Sequence, residues 1–595
     1  MNKTEKIICL ILGAILAWYI FNESGKAKER AQAAAEAAAI AATNAPAATP
    51  AKEAPKAEVQ APVAPKVAEL KPAKPSVPEK TVSLENDEVK LTLSSWGAVV
   101  KSVTLKKFAK GRGDVSAENP AVSFDFSAAP LGELTGVEGL APNAVYEVRS
   151  ETPGEVVFAN ASLVRKVTLG KDYQITFEDA AAEGKGEVAG AVSLGVMRMG
   201  DSKNDLLSVD SWALDAGKGK PGVIHHGDDD SPLKPYLVGG LAGGCSGSKS
   251  AAGMKERESV AYPGAQTWVA VKNRFFVTAL VSSTAANEGF EATVSRDMKA
   301  QDYRPNDVAV RARFAKAGPS VKTVFFVGPK KQSLLWGLGS REQSFLAGDS
   351  MKHVMEFGMW SWLCYPLVWV LNFFNDLIPN FGVAIILLTI LVRILFWPLT
   401  HKSTVGMRRM SELQPKMKAL QAKFKDNPQR LQQETWALYK AEKVNPMSSC
   451  LPMLVQIPVF IALFNVLRSA VELRYAPFLW IGDLSEPEGL FAAYLPFGGL
   501  NVLPILMAVS TALQSAFTPS TGDKSQQKMM MVFMPIMMLV MFYSFPSALS
   551  LYWFLSNIFS IVQMWLIRRE TAKKAEVLTP EVIDPPQTRQ MRRHG

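Results

Sequence analysis

The strongest pattern in the chain is an apolar run at 381–399, FGVAIILLTILVRILFWPL, broken by one charge at Arg393. At about 1.5 Å rise per residue it spans roughly 28 Å, near the thickness of a bilayer's hydrocarbon layer. It therefore predicts a membrane-spanning helix that ends at Trp397-Pro398. Arg393 falls roughly 9 Å inside one end. A guanidinium stays protonated, and exposure to lipid costs from about 3 to about 10 kcal/mol or more, so the side chain needs water or a partner. The run holds no Asp or Glu, and the nearest polar side chain on that helical face is Thr389, one turn earlier. Two readings fit: the helix faces a wet cavity, or Arg393 snorkels to the nearer headgroups.

Other apolar runs lie at 451–470, 495–517, 529–545 and 548–567, and each carries polar side chains. The first has Gln456 and Asn465, the second Ser510, Thr511 and Gln514, and the last Tyr552, Trp553, Ser556, Asn557 and Gln563; the third is rich in methionine. An N-terminal run within 1–21 follows Lys3 and Lys6 and lacks a small-x-small site, which predicts an uncleaved anchor, with a cleaved signal peptide as the alternative. The tryptophan-rich stretch 357–376 predicts an amphipathic helix lying on the outer membrane face.

Between the spans, the segment 401–446 holds ten Lys and Arg against four acids, which places it on the cytoplasmic side. Met407, Met410, Leu413, Met417, Leu420 and Phe424 recur at spacings of three and four, the pattern of an amphipathic helix kinked at Pro415. Asp426-Asn427-Pro428 then predicts a turn and cap before a second helix bearing Leu431, Thr435, Leu438 and Tyr439, so the segment forms a hairpin. Lys524 and Lys528, with Arg568 and Arg569, place the 518–528 connection and the C-terminal tail inside as well.

Residues 81–330 have another texture: short alternating runs at 89–93, 164–177, 268–281, 308–314 and 321–327, punctuated by Gly, Pro, Asn and Asp. They predict an antiparallel β-sandwich. Residues 26–80, rich in Ala, Pro, Lys and Glu, cannot bury a core and predict an extended linker. The expected architecture is a polytopic α-helical membrane protein with six transmembrane helices and a large extracytoplasmic β-sandwich domain. Its parts are an anchor at 1–25, the linker, the β-domain at 81–330, a connector and interfacial helix at 331–380, a five-helix core at 381–570 and a basic tail at 571–595.

Composition changes this picture little. Mean hydropathy of +0.07 and 48% hydrophobic residues suit a membrane protein with a soluble part. The net charge of +10 sits largely beside the apolar runs, which points to membrane topology rather than nucleic acid. The four cysteines form no disulfide framework or zinc spacing, and the one metal-like cluster, His225-His226-Gly227-Asp228-Asp229-Asp230, reads as an acidic solvated turn. Trp96 and Trp268 could stack on a sugar, but core packing is the default. No span carries a carboxylate in its middle, which argues against proton pumps, and no phosphate-binding loop, catalytic serine motif or zinc helix is present.

The stretch LQPKMKALQAKFKDNPQRLQQETWALYKAEKVNPMSSCLPMLVQIPVFIAL at 413–463 resembles the YidC, Oxa and Alb family of membrane protein insertases. So do VRILFWPLT at 392–400, VELRYAPFLWIGDLS at 471–485 and FPSALSLYWFLSNIFSIVQ at 545–563. The resemblance is dense over 357–570, and the β-domain behind an anchor looks like the Gram-negative arrangement. It implies a substrate groove containing Arg393, Thr389, Gln456, Tyr552 and Trp553. Gln514 stands one position before the place of a family glutamine, which is Ser515 here, and Ser510 is a further groove candidate as a polar residue on the same run. It also implies no enzyme chemistry and no cofactor, metal or specific nucleic acid. The implied partners are nascent membrane proteins, the ribosome, the Sec translocon and lipid, at a bacterial inner membrane, with both termini cytoplasmic and the β-domain periplasmic. The β-domain is expected to be dispensable for simple clients, because the polar intramembrane residues all lie after residue 380. The rival readings are a solute transporter and a membrane-anchored sugar-binding or sugar-modifying enzyme.

Overall fold

The structure, a computed structural model, describes residues 77–578 apart from 183–187, 199–206, 216–219, 227–255, 282–285, 297–304, 339–350, 445–450, 492–498, 519–523 and positions 138, 142, 316, 317, 337, 426 and 443. The expected anchor, nearly all of the linker and most of the tail lie outside the described residues. Two compact units are distinguished, one built from Pro72–Val392 with Met453–Leu566, the other including Arg393–Pro452.

Period-two alternation builds strands as expected. Leu163–Leu169 and Gln174–Ala181 bury alternate side chains, because successive residues of a pleated strand point to opposite faces. Two antiparallel nine-stranded sheets result. The first runs in the order Thr81–Glu85, Val89–Ser94, Val99–Ala109, Leu131–Thr135, Gly190–Arg198, Pro305–Phe314, Phe290–Arg296 and Arg257–Tyr262, with Ala121–Asp125 paired beside Val99–Ala109. The second runs Lys220–His225, Ser208–Asp215, Gln266–Lys272, Phe276–Leu280, Ser320–Pro329, Gln174–Ala181, Leu163–Leu169, Glu155–Ala159 and Glu147–Thr152.

The runs at 164–177 and 268–281 are each a hairpin rather than one strand. Their turns escape the alternation pattern because turn residues, Tyr173 and Arg274, are themselves buried. The inner faces meet where Phe108 and Phe124 of the first sheet pack on Phe276 of the second, ring centroids 5.7 and 5.6 Å apart. Gly132, at φ +80°, lies under Phe177, where a Cβ would come within 2.6 Å of the ring. Arg165 is fully buried in this core, donating from Nε and Nη2 to Asp179 at 2.6 and 3.0 Å and from Nη1 to the Gly132 carbonyl at 2.7 Å. Losing Asp179 would strand a buried charge, at about 3–5 kcal/mol. Trp268 is wholly buried, as core packing requires.

After a single helical turn at Gln332–Leu335 come helices α1 (Ser361–Leu377), α2 (Phe381–Glu412), α3 (Gln414–Lys423), α4 (Pro428–Ala441), α5 (Leu451–Ser469), α6 (Val502–Phe517), α7 (Lys524–Phe542) and α8 (Ser547–Leu578). Among the described residues two of these are long and apolar enough to cross a membrane, within Phe381–Glu412 and Ser547–Arg569; apolar stretches Gln456–Ser469, Val502–Phe517 and Met531–Phe542 are shorter. Several boundaries differ from expectation. α2 continues through Pro398, since proline removes a single backbone donor, the one that the Ile394 carbonyl would accept from, and the helical bonds on either side can persist. At Pro415 the chain does not kink one helix but starts another, with proline in the first turn, where its missing N–H costs nothing. α6 begins at Val502 rather than 495, since Leu500 is held in a bridge to Leu490.

The His225-His226 pair is no solvated turn: His225 ends a strand and His226 is buried, while 227–230 lie outside the described residues. His225 Nδ1 lies 3.0 Å from Asp210 and 3.5 Å from Glu356. These three could suggest a metal site, but the fully buried Lys272 ammonium already sits among them, bonded to Asp210, to Glu356 at 2.9 Å and to the Val354 carbonyl at 2.9 Å. Burial by itself would raise the Asp210 pKa, yet Lys272 and His225 hold it well below the usual carboxylate range. Burial opposes charge on His225 too, but the Asp210 bond wins and lifts its pKa above 6.5. His226, packed on Tyr262 and Phe290 with Nε2 at 2.7 Å from Ser211 Oγ, is pushed by burial down to about 4.

The two neighbours therefore carry opposite linkage. The His225 contribution is complete below pH 6.5 and lost as pH rises through its raised pKa, whereas the His226 contribution is present above 6.5 and lost as pH falls toward about 4. We expect amide protection across the pairing of Ser208–Asp215 with Lys220–His225, read as exchange relative to the intrinsic base-catalysed rate at each pH, to fall on acidification between those values. His226→Phe, which fits the aromatic site, should flatten that acid limb and leave the alkaline limb; a wild-type acid limb in the variant would refute the assignment.

Candidate functional site

The candidate groove residues fall on four helices. Thr389 on α2 is fully buried, and its hydroxyl donates to the Ile385 carbonyl at 2.7 Å, so it bonds within its own helix. On α5 Gln456 is half-buried. On α6 Ser510 is buried and donates to the Met507 carbonyl at 2.8 Å, while Gln514 is half-buried. Tyr552 on α8 is buried, and Trp553 stands half-buried with its ring 4.9 Å from Phe460 of α5, edge-on, and 5.5 Å from Phe542 of α7. Phe464 on Phe545, at 5.6 Å, extends the same aromatic seam, which holds α5 against α8 and the end of α7.

A polar contact not paired in the sequence reading lies beside this seam. Asn557 of α8 is buried and donates through Nδ2 to Ser510 Oγ at 2.9 Å and Thr511 Oγ1 at 2.8 Å of α6. Both hydroxyls in turn donate to the Met507 carbonyl at 2.8 Å, so the amide closes a chain of satisfied groups between two apolar helices. The signal was present in the sequence, as Ser-Thr on one run and Asn on another, but periodicity does not say which helices face each other. The hydroxyls of Ser550 and Ser556, also on α8, are buried with no partner among the described residues.

Outside the seam the helices show bare apolar surface, as lipid contact would require: Val532, Phe533, Ile536 and Val540 on α7 are exposed. On α1 Cys364, Leu367, Val368 and Leu371 are buried while Trp362, Trp369 and Phe373 are exposed. The loop between α5 and α6 is anchored by Glu488, which is buried and accepts from the Val502 and Leu503 amides at 2.9 and 2.5 Å and from Trp480 Nε1 at 3.0 Å. A carboxylate there caps α6 and opposes the positive end of its dipole.

In the other unit, Arg393 on α2 is half-buried. In the charged segment Met407 and Met410 belong to the end of α2 rather than to a separate hairpin arm; Asn427 Oδ1 caps α4 by accepting from the Arg430 amide at 3.0 Å, and Lys416 of α3 pairs with Glu442 just beyond α4. Leu413 is buried; Met407, Met410, Met417, Leu420, Phe424 and Tyr439 are half-buried, and Lys423 and Arg430 each lie 5.4 Å from the Phe424 ring.

Residues 373–574 match the family model described as 60Kd inner membrane protein, and residues 245–370 match the YidC periplasmic domain. Along most of its length the chain is 31% identical to the membrane protein insertase YidC of Prosthecochloris aestuarii, over 533 residues that cover 85% of this chain and 86% of the relative. The chain belongs to the YidC family of membrane protein insertases. The YidC of Chlorobaculum tepidum is 31% identical over 82% of this chain and 81% of its own. That of Syntrophobacter fumaroxidans is 42% identical over 309 residues, so the chain spans about half the length of this relative, 54%, with 51% of its own residues. The matched region of the 60Kd model contains α2 through nearly all of α8, and with them every helix of the aromatic seam.

Because Ser510 and Thr511 keep their bonds to Met507 without the amide, Asn557→Leu should remove one interhelical link and leave no orphan. The expected cost is about 0.6–2 kcal/mol, read as unfolding in mixed micelles. A change below a few tenths would mean that the link contributes nothing to holding α6 on α8.

Proposed function

We propose that this chain inserts newly made membrane proteins through a hydrophilic groove, without a cofactor. The observation that carries the reading is helix α8, apolar enough to cross a membrane yet bearing a buried amide at Asn557 and, at Ser550 and Ser556, two buried hydroxyls that have no partner among the described residues. Such polar interior in a helix among lipid-facing neighbours suits a passage that is wet or is filled by a client. Arg393, Thr389, Gln456, Ser510, Gln514, Tyr552 and Trp553 are its residues in this reading. The groove takes up the polar flank of a nascent helix and lowers its desolvation cost, while the apolar segment slides into lipid along the exposed helices. Arg393 hydrates the groove and attracts acidic flanks.

In the same proposal the chain crosses the membrane six times, by an anchor within 1–25 and by α2, α5, α6, α7 and α8. Both termini and the α3–α4 hairpin are cytoplasmic and the β-domain is periplasmic. α6 has 16 residues, about 24 Å, so it would thin the bilayer locally, which shortens the path a polar flank must travel. The hairpin, through Met407, Met410, Leu413, Met417, Leu420, Phe424 and Tyr439, guides incoming chains, alone or beside a ribosome and the Sec translocon.

If charge and hydration are what Arg393 supplies, Arg393→Lys retains most insertion, while Arg393→Ala and Arg393→Glu lose most of it for clients with acidic translocated segments and little for neutral ones. Insertion of a client series graded in acidic residues, normalised to insertase level, reads this. Equal defects across the series would refute the electrostatic role.

A further inference from the structure

One turn of the β-domain, 273–275, reaches both helices of the seam that holds Trp553, at the same end. Its Arg274 side chain is 1% exposed and makes three kinds of contact outside the β-domain. Nε donates to the Arg468 carbonyl at 2.8 Å, Nη2 to the Ser485 carbonyl at 2.6 Å, and Nη1 pairs with Glu486. The first acceptor lies in the last turn of α5, where carbonyls have no helical donor and the helix dipole favours a cation. The other two lie in the loop that caps α8. Ser547 N and Oγ both donate to the Glu486 carbonyl, at 2.9 and 2.6 Å, and Ala548 N donates to the Leu484 carbonyl at 2.9 Å.

A second β-domain loop meets the same segment. Arg474 Nη1 donates to the Ala109 carbonyl at 2.7 Å, Tyr475 Oη donates to the Lys110 carbonyl at 2.8 Å, and a Cβ on Gly482 would sit 2.7 Å from Arg112. Two residues before Arg274, Lys272 grips the Val354 carbonyl and Glu356 ahead of α1. The β-domain is therefore bonded to the ends of the helices.

We propose that Arg274 is a positioning residue for insertion: it ties the C-terminus of α5 to the N-terminus of α8 and so sets Trp553 against Phe460. This rests on the reading of Trp553 as a client-contact residue, but the tie itself does not. Three charge-assisted bonds converge on one rigid guanidinium, and a lysine can satisfy at most part of that set.

The test is amide exchange on the full chain in nanodiscs, alongside insertion of a simple client. Arg274→Ala should speed exchange about tenfold or more at Ser547 and Ala548 and in the last turn of α5, the change that loss of a charge-assisted bond gives. Arg274→Lys should give a partial effect, and Glu486→Gln a smaller one at α5, because both carbonyl bonds survive it. Insertion should fall in the same order at equal protein level. Unchanged exchange at α5 and α8 in Arg274→Ala, or acceleration spread evenly through the β-strands, would overturn the tie. Local acceleration with full insertion would uphold the tie and overturn the client role of Trp553.

Discussion

Inside a bilayer no water stands ready to satisfy a backbone or side-chain polar group, so each must find its partner within the protein or in a wet cavity. That constraint explains most of what the helices do. Thr389, Thr400, Ser510 and Thr511 return their hydroxyls to carbonyls of their own helices. Asn557 spends its donors on two of those hydroxyls. α5, whose last carbonyls lie beyond helical reach, receives Arg274 from another part of the chain. Ser550 and Ser556, whose buried hydroxyls have no partner among the described residues, lie on the helix that also carries Tyr552 and Trp553.

The β-domain applies the same rule to charge. Arg165 is matched by Asp179 and three carbonyls, and Lys272 by Asp210, Glu356 and the Val354 carbonyl. Replacing such pairs by apolar residues can be neutral, but removing one member is costly, so these contacts fix geometry more than they add stability. For Lys272 and Arg274 the fixed geometry extends past the sandwich. Lys272 grips the approach to α1, and Arg274 two residues on grips the end of α5 and the loop that caps α8.

Much of this was legible in the sequence. Alternation announced the strands, apolar runs the helices, and Asn427-Pro428 a cap that forms as expected. Periodicity fails where a turn is buried, as at Tyr173 and Arg274, because a buried turn looks like more strand. It also misplaces helix ends at Pro398, where the helix runs on at the loss of a single backbone bond, and at Pro415, where proline opens a new helix. The His225-His226 pair looked solvated because acids follow it, yet Tyr262 and Phe290, which bury His226, lie 36 and 64 residues away. Long-range partners of this kind, like Asn557 with Ser510 or Arg274 with Glu486, leave no local pattern to read.

The central claim is that a client passes along the α5–α8 seam at Trp553. Its most direct test is a photo-crosslinking amino acid placed at position 553, with a second at Val540 on the exposed face of α7, during translation of a small single-span membrane protein. The account predicts nascent-chain adducts at 553 while the client's polar flank is being translocated, moving to the lipid-exposed position as the apolar segment leaves. Adducts confined to the β-domain, or absent from 553 while insertion proceeds at its normal rate, would contradict it.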